Sequence, residues 1–298
     1  MSPSAAAARA AGAQCALFDL PPTPGGCPQT EQSEPDLTWY DYLLLSLSGG
    51  KDSQYTALTV ARLARLAGVL ERVVAVHAHL DEDHEDAEEY ARMHAEAYGA
   101  PRFEVVRRDQ TLLEHVLERG KWPSAEARYC TSDHKRAPIG TLMTRLADEA
   151  DPKRLGRPVR ILNVMGMRAE ESSTRARRDV LRHNKRETNL TRRHVDDWLP
   201  VHTASVAEVR AALDASGVPH HPAYDGDDGE PWAGCSRLSC ELCVLASKGD
   251  LVLNARRNPA RAQEYLRVEQ ITGHDFRADL SMAKIIDLAN AGPPMKAH

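Results

Sequence analysis

The sequence predicts an α/β fold: a doubly wound parallel sheet followed by a helical, cysteine-bearing C-terminal extension. Three observations predict it. Short continuous apolar runs recur along the chain with helical stretches between them, the alternation that builds a parallel sheet with right-handed crossovers. A glycine turn joins the first run directly to a helix. Beyond residue 245 the apolar residues keep a helical period, and three closely spaced cysteines stand just before them.

Composition bounds the answer. The 298 residues are 42% hydrophobic and 27% charged, enough to bury a sizeable core in one or two domains. No apolar run approaches the roughly 18 residues of a membrane span, so no membrane association is expected. A formal net charge of -5 argues against coating nucleic acid by bulk electrostatics. Six cysteines in so long a chain do not make the framework of a small secreted scaffold.

Residues 1–37 are rich in Ala, Pro, Gly and Ser without a sustained period, and read as a disordered leader carrying Cys15 and Cys27. No basic region followed by an apolar core marks them as a secretory signal, so a cytoplasmic location is the default expectation. Residues 38–203 read as the nucleotide-binding α/β domain and 204–298 as a helical, metal-bearing region.

Tyr42 to Leu47 suits a strand buried on both faces. It leads into Ser48-Gly49-Gly50-Lys51-Asp52-Ser53, then a helix running to Gly68 with Tyr55, Leu58, Val60, Leu63 and Leu66 at helical spacing. Strand, glycine turn and helix N-terminus together make an anion site: glycines admit the anion close to the backbone, amides point at it, and the helix dipole favours it. Ser48 and Ser53 would donate hydroxyl bonds, Lys51 would neutralise charge, and Asp52 would help hold a divalent metal. Further strands are expected at 72–79, 103–107 and 161–165, with a helix at about 84–98. Asp81, beyond the second strand, would contact ribose or metal, or else open a solvated acidic helix.

The string SGGKDS resembles the PP-loop signature SGGxDS of the adenine nucleotide alpha hydrolases, a Rossmann-like group of the HUP type. That resemblance implies ATP and Mg2+ as cofactors, with cleavage between the alpha and beta phosphates and transfer of AMP to an acceptor. Two later segments resemble the phosphoadenosine phosphosulfate (PAPS) reductase branch: Cys130 to Pro138, with Lys135, and Gly166-Met167-Arg168-Ala169-Glu170-Glu171-Ser172-Ser173-Thr174-Arg175. His220 to Asp225, followed by Gly234-Cys235, resembles that branch's HPLYD and GC stretch. The resemblance covers roughly residues 40–275. It implies catalytic roles for Lys51, Asp52, Lys135, Arg168 and Arg175, and nucleotide contacts from the loop, Asp81, Gly166 and Arg168.

Two departures separate this chain from the thiol-dependent reductases. Its phosphate loop is intact, and the tail AGPPMKAH has no ECGxH-type cysteine. The expected activity is therefore ATP pyrophosphatase or adenylyl transfer in the service of sulfur transfer. The alternatives are a sulfite-releasing reductase of adenylyl sulfate (APS) or PAPS, a protein like the ATP sulfurylase small subunit, or a non-catalytic subunit of a nucleic-acid modification assembly.

Cys235, Cys240 and Cys243 form C-x4-C-x2-C, and with Cys130 they offer four thiols for a [4Fe-4S] cluster or, alternatively, zinc. Spacing alone does not name the metal, and iron–sulfur is preferred. Eight cations against two carboxylates between Arg175 and Arg193 suggest either a nucleic-acid footprint or a solvated arm over an anionic, sulfur-containing substrate. The histidines, His183 and His194 among them, show no ligand spacing. A sulfur-donor protein and a second copy of the chain are the expected protein partners.

Overall fold

The computed structural model describes residues 34–291. Cys15, Cys27 and nearly all of the expected leader lie outside those residues. The packed chain is already under way at Leu37–Trp39, a single turn whose first residue is buried and whose N-cap, Asp36, accepts the Thr38 N–H at 2.9 Å. Two compact units are present, each assembled from separated segments. One ends its segments at Ala78, Val106 and His220; the other takes 79–85, 107–138 and the chain from His221 onward. The expected boundary near residue 203 falls inside the first unit.

The first unit holds one six-stranded sheet in the order β3-β2-β1-β4-β6-β5. Its strands are β1 (Tyr42–Ser46), β2 (Val73–Ala78), β3 (Arg102–Val106), β4 (Val159–Val164), β5 (Leu181–His183) and β6 (Arg193–Trp198). All pairings are parallel except β5 with β6. Leu43 and Leu45 pack on one side with Ala57, Ala61 and Ala64 of helix α1 (Lys51–Leu66) and Ala91 and Ala95 of α2 (Ala87–Ala97). Leu44, Val74 and Val76 pack on the other with Leu142, Met143 and Leu146 of α4 (Ala137–Ala150). Apolar residues at odd and even positions of β1 are therefore both needed, which is why its sequence is a continuous run. The chain moves from β1 outward to β2 and β3, then returns to place β4 on the other side of β1. Between β1 and β4 the strand order reverses, the place where sheets of this kind bind ligands. The fold is a Rossmann-like α/β fold with a mostly parallel sheet.

β5 and β6 were not expected. β5 lies within the basic stretch read as an arm and β6 begins at its last residue; Val195 and Trp198 are the only apolar residues of β6, too few and too far apart to show strand alternation. Its buried Asp197 is satisfied by Asn163 Nδ2 at 2.8 Å, Asn184 Nδ2 at 2.9 Å and Arg182 Nη2 at 2.6 Å.

The second unit is helical: α3 (Leu112–Arg119), α6 (Lys248–Arg257), α7 (Pro259–Thr272) and α8 (Met282–Asn290), whereas α5 (Val206–Ser216) belongs to the first unit. Pro259 opens α7, as expected of a residue that lacks an N–H. Leu112, Val116, Trp122, Tyr129, Leu251, Tyr265, Phe276 and Ile285 form its core, with Trp122 stacked on Tyr265 at 5.4 Å. Buried Glu269 accepts the N–H groups of Phe276 at 2.6 Å and Met282 at 2.9 Å, fixing the start of α8.

Candidate functional site

The loop between β1 and α1 is tied by its own serines. Ser53 Oγ donates to the Gly50 carbonyl at 2.8 Å, and the Ser48 N–H reaches Ser53 Oγ at 3.2 Å. Gly49 has φ +77°, and a Cβ there would sit 2.5 Å from the Ala87 carbonyl oxygen, so both backbone angle and space demand glycine. Gly50 is the N-cap of α1 and supplies no side-chain cap. The first amides of α1 thus begin without the usual side-chain oxygen acceptor, at the end of the helix where the dipole favours an anion.

Lys51 and Asp52, the first residues of that helix, meet Arg168 from the turn after β4. Lys51 Nζ donates to Asp52 Oδ2 at 2.9 Å and Arg168 Nε to Asp52 Oδ1 at 2.6 Å. Lys51 and Arg168 are only 1% and 3% exposed, so neither charge has water to fall back on. Burial pulls the Lys51 pKa below the ordinary lysine value, and Arg168 beside it acts in the same direction against the attraction of Asp52. Burial alone would raise Asp52, but the two cations outweigh it and hold the carboxyl below its usual range. Both Asp52 oxygens are engaged by cations. Asp52 positions Lys51 and Arg168.

Gly166 makes that meeting feasible: a Cβ there would lie 2.8 Å from the Asp52 carbonyl oxygen and from Thr56 Oγ1. Glu171 and Ser172, whose roles were not foreseen individually, organise the remainder of the turn. Glu171 accepts the Arg168 N–H at 2.9 Å and an Nη1–H of Arg175, while Ser172 Oγ accepts the Arg175 N–H at 3.2 Å. Arg168 Nη1 also donates to Glu170 at 2.7 Å. Each cation here is paired with a carboxylate, which orients it before any ligand arrives.

The second unit gathers another set. Cys130 stands in a short helical turn, Tyr129–Thr131, which runs into a π-helical turn, Ser132–Arg136, that carries Lys135. The thiols of Cys130, Cys240 and Cys243 act electrostatically on one another and on Lys135. Lys135 Nζ lies 3.5 Å from Asp83, a residue that sequence reasoning did not single out. Burial would lower Lys135, but Asp83 and the three sulfurs outweigh it and raise its pKa. Burial pushes the Cys130 and Cys240 thiols up. Cys235 has a different hydrogen-bond partner. Its Sγ donates to Asn254 Oδ1 at 3.1 Å, burial drives its pKa up to about 12, and its charged surroundings are Asp250, Arg257 and Asp227. The N–H groups of Gly234 and Cys235 pair with the carbonyls of Tyr224 and Ala223, which fixes this strip of chain.

Three thiols with a lysine beside them are a donor set that both iron–sulfur clusters and zinc use. Asp81 also belongs to the second unit. It is exposed, with its carboxylate 3.5 Å from His79 and its carbonyl accepting from Arg261 at 2.7 Å. Of the basic stretch, Arg175, Arg182, Arg186, Arg192 and Arg193 are ion-paired with Glu171, Asp197, Glu187, Asp148 and Glu187, so much of its charge is spent inside the first unit.

No family model and no curated protein matches this chain. Among solved structures it is similar to phosphoadenylyl-sulfate (PAPS) reductase from Candida auris, at 15% identity over 74% of this chain and 90% of that one, TM-score 0.38. It is also similar to FMN adenylyltransferase from Candida glabrata, at 14% identity over 80% and 70%, TM-score 0.45. A third is the U34-tRNA thiolase NcsA from Methanococcus maripaludis, solved with its [4Fe-4S] cluster, at 12% identity over 94% and 88%, TM-score 0.34. Among the described residues no helix is long and apolar enough to cross a membrane.

Proposed function

We propose that this chain is a PP-loop enzyme that cleaves ATP to AMP and pyrophosphate, transferring the adenylyl group to an acceptor that then receives sulfur. The observation that carries this reading is the Lys51–Asp52–Arg168 array, its two cations buried, at the uncapped start of α1 beyond the carboxyl ends of the paired strands β1 and β4. An acceptor oxygen attacks the alpha phosphorus, the bond from that phosphorus to the bridging oxygen breaks, and pyrophosphate leaves with the electron pair. The loop amides and the Lys51 ammonium stabilise charge building on the leaving group. Asp52 keeps Lys51 and Arg168 in place, so little reorganisation is needed when that charge appears. Mg2+ would travel with the nucleotide and offset the charge of its phosphates.

Cys130, Cys240 and Cys243 would hold an iron–sulfur cluster through three thiolates, with Cys235 outside the set. When bound, such a cluster supplies a site for sulfur. Lys135 offsets the negative charge that three half-buried thiolates bring, and Asp83 fixes the position of Lys135. An anionic sulfur-containing substrate, a nucleic acid and a sulfur-donor protein are the acceptors and donors this chemistry would use, and a homo-oligomer is the proposed assembly.

Anaerobic incubation of the full chain with ATP, and separately with adenylyl sulfate, tests the reading. Pyrophosphate release from ATP is the expected result. Sulfite release from adenylyl sulfate with no ATP requirement would instead identify a reductase, and nucleotide binding without turnover a non-catalytic subunit.

A further inference from the structure

Three side chains that the nucleotide chemistry does not use converge on one face of the first unit's sheet. β5 and β6 run antiparallel with His183 opposite Asp196, and His194 precedes Asp196 by two residues on β6. Strand alternation therefore puts all three on the same face. His183 Nδ1 lies 3.0 Å from Asp196 Oδ1, and His194 Nε2 lies 3.0 Å from each Asp196 oxygen. The ligand atoms are all within 4.8 Å of one another, and among the described residues no other group of three His, Cys, Asp or Glu meets that condition.

These spacings fit metal ligation. Neighbouring ligands around an ion with bonds of about 2.0–2.2 Å sit roughly 3 Å apart, as the nitrogens and carboxylate oxygens do here. The carboxylate is also oriented from behind, because Tyr40 Oη donates to Asp196 Oδ2 at 2.9 Å, the kind of outer contact that fixes a metal ligand. Trp39 packs edge-on against His194 with ring centroids 5.1 Å apart. His183 is 38% exposed and His194 35%, so solvent can fill the remaining coordination positions. His194 pairs with Arg160 near the amino end of β4, whereas Arg168 follows that strand's carboxyl end. The group thus stands toward the opposite ends of the strands from the phosphate loop.

We propose that His183, His194 and Asp196 bind a divalent first-row transition ion of the zinc class that ties the edge strand β5 to β6 and takes no part in the nucleotide reaction. Two imidazoles and one carboxylate favour such an ion over magnesium or calcium, which prefer oxygen ligands throughout. The competing account is that both imidazoles simply hydrogen-bond to Asp196.

Zinc titration of the chelator-treated full chain, read by calorimetric stoichiometry and by melting temperature with and without Zn2+, separates the two. His183→Ala and Asp196→Asn should each lose one zinc equivalent and show a smaller zinc-dependent rise in melting temperature than the parent chain, while pyrophosphate release stays unchanged. Zinc held by the cysteines remains in both variants, so the difference reports this site alone. His183 is exposed and its replacement leaves the core untouched, so His183→Ala decides the matter even if Asp196→Asn fails to fold. Equal stoichiometry and equal zinc-dependent melting in the parent and His183→Ala would overturn the proposal.

Discussion

Arg168 Nε donates to Asp52 Oδ1 at 2.6 Å, joining the turn after β4 to the first turn of α1 across 116 residues of sequence. Lys51 holds the other Asp52 oxygen, so the carboxylate is the one anion between two buried cations. Asp52→Asn should destabilise the chain by about 3–5 kcal/mol, the range for leaving buried charge uncompensated. Chemical denaturation measures this, and a loss below about 1 kcal/mol would show that water or a neighbouring carboxylate relieves the pair.

Gly49 and Gly68 both have positive φ, but only Gly49 faces a neighbour, the Ala87 carbonyl. Gly68→Ala should cost about 1–2 kcal/mol from backbone conformation alone. Gly49→Ala should cost more and abolish pyrophosphate release from ATP, because the loop must move to accept the methyl group. Thermal melting together with the pyrophosphate assay compares them; equal behaviour of the two variants counts against the tight loop.

Cys235 bonds to Asn254 whereas Cys130, Cys240 and Cys243 surround Lys135. Iron and acid-labile sulfide in anaerobically prepared Cys235→Ser should match the parent chain. Cys130→Ser, Cys240→Ser and Cys243→Ser should each lose most of both. A folded Cys235→Ser chain that loses iron as the others do makes Cys235 a ligand after all.

His94 is fully buried, with Nε2 3.1 Å from the Pro219 carbonyl, and burial lowers its pKa to about 4. The unfolded value is near 6.5. Between pH 6.5 and 4 the unfolded chain binds a proton that the folded chain refuses, so this histidine's contribution falls as pH drops through that window. The loss is on the order of 3 kcal/mol by pH 4. Gln at position 94 places an amide N–H where Nε2 stands, and His94→Gln should flatten the stability profile over that window. An unchanged slope would mean that other groups dominate it.

Much of the fold was legible because its signals are local. The buried run Tyr42 to Leu47, the helix behind it and the SGGKDS turn between them each follow from adjacent residues and short periods. β6 was not legible: Arg193 to Trp198 carries His194, Asp196 and Asp197, and a strand whose polar groups are satisfied by Asn163, Asn184, Arg182 and Tyr40 has no apolar signature. The basic stretch looked like a free arm for the same reason, since most of its carboxylate partners lie outside the stretch itself, in sequence though not in space.

The cysteines draw the line between the two kinds of knowledge. Spacing alone determined that Cys235, Cys240 and Cys243 are close together in the chain and that a glycine turn leads from β1 into a helix. Only the tertiary structure decided which thiols meet, turning Cys235 to Asn254 and bringing Cys130, more than a hundred residues away, to Cys240, Cys243 and Lys135. It likewise decided that Arg168 reaches Asp52 and that His183 joins His194 and Asp196. Spacing along a chain constrains neighbours within a turn or a strand, whereas encounters across tens of residues depend on strand order and on packing that makes some approaches feasible and blocks others. Gly166 under the first turn of α1 is one such approach.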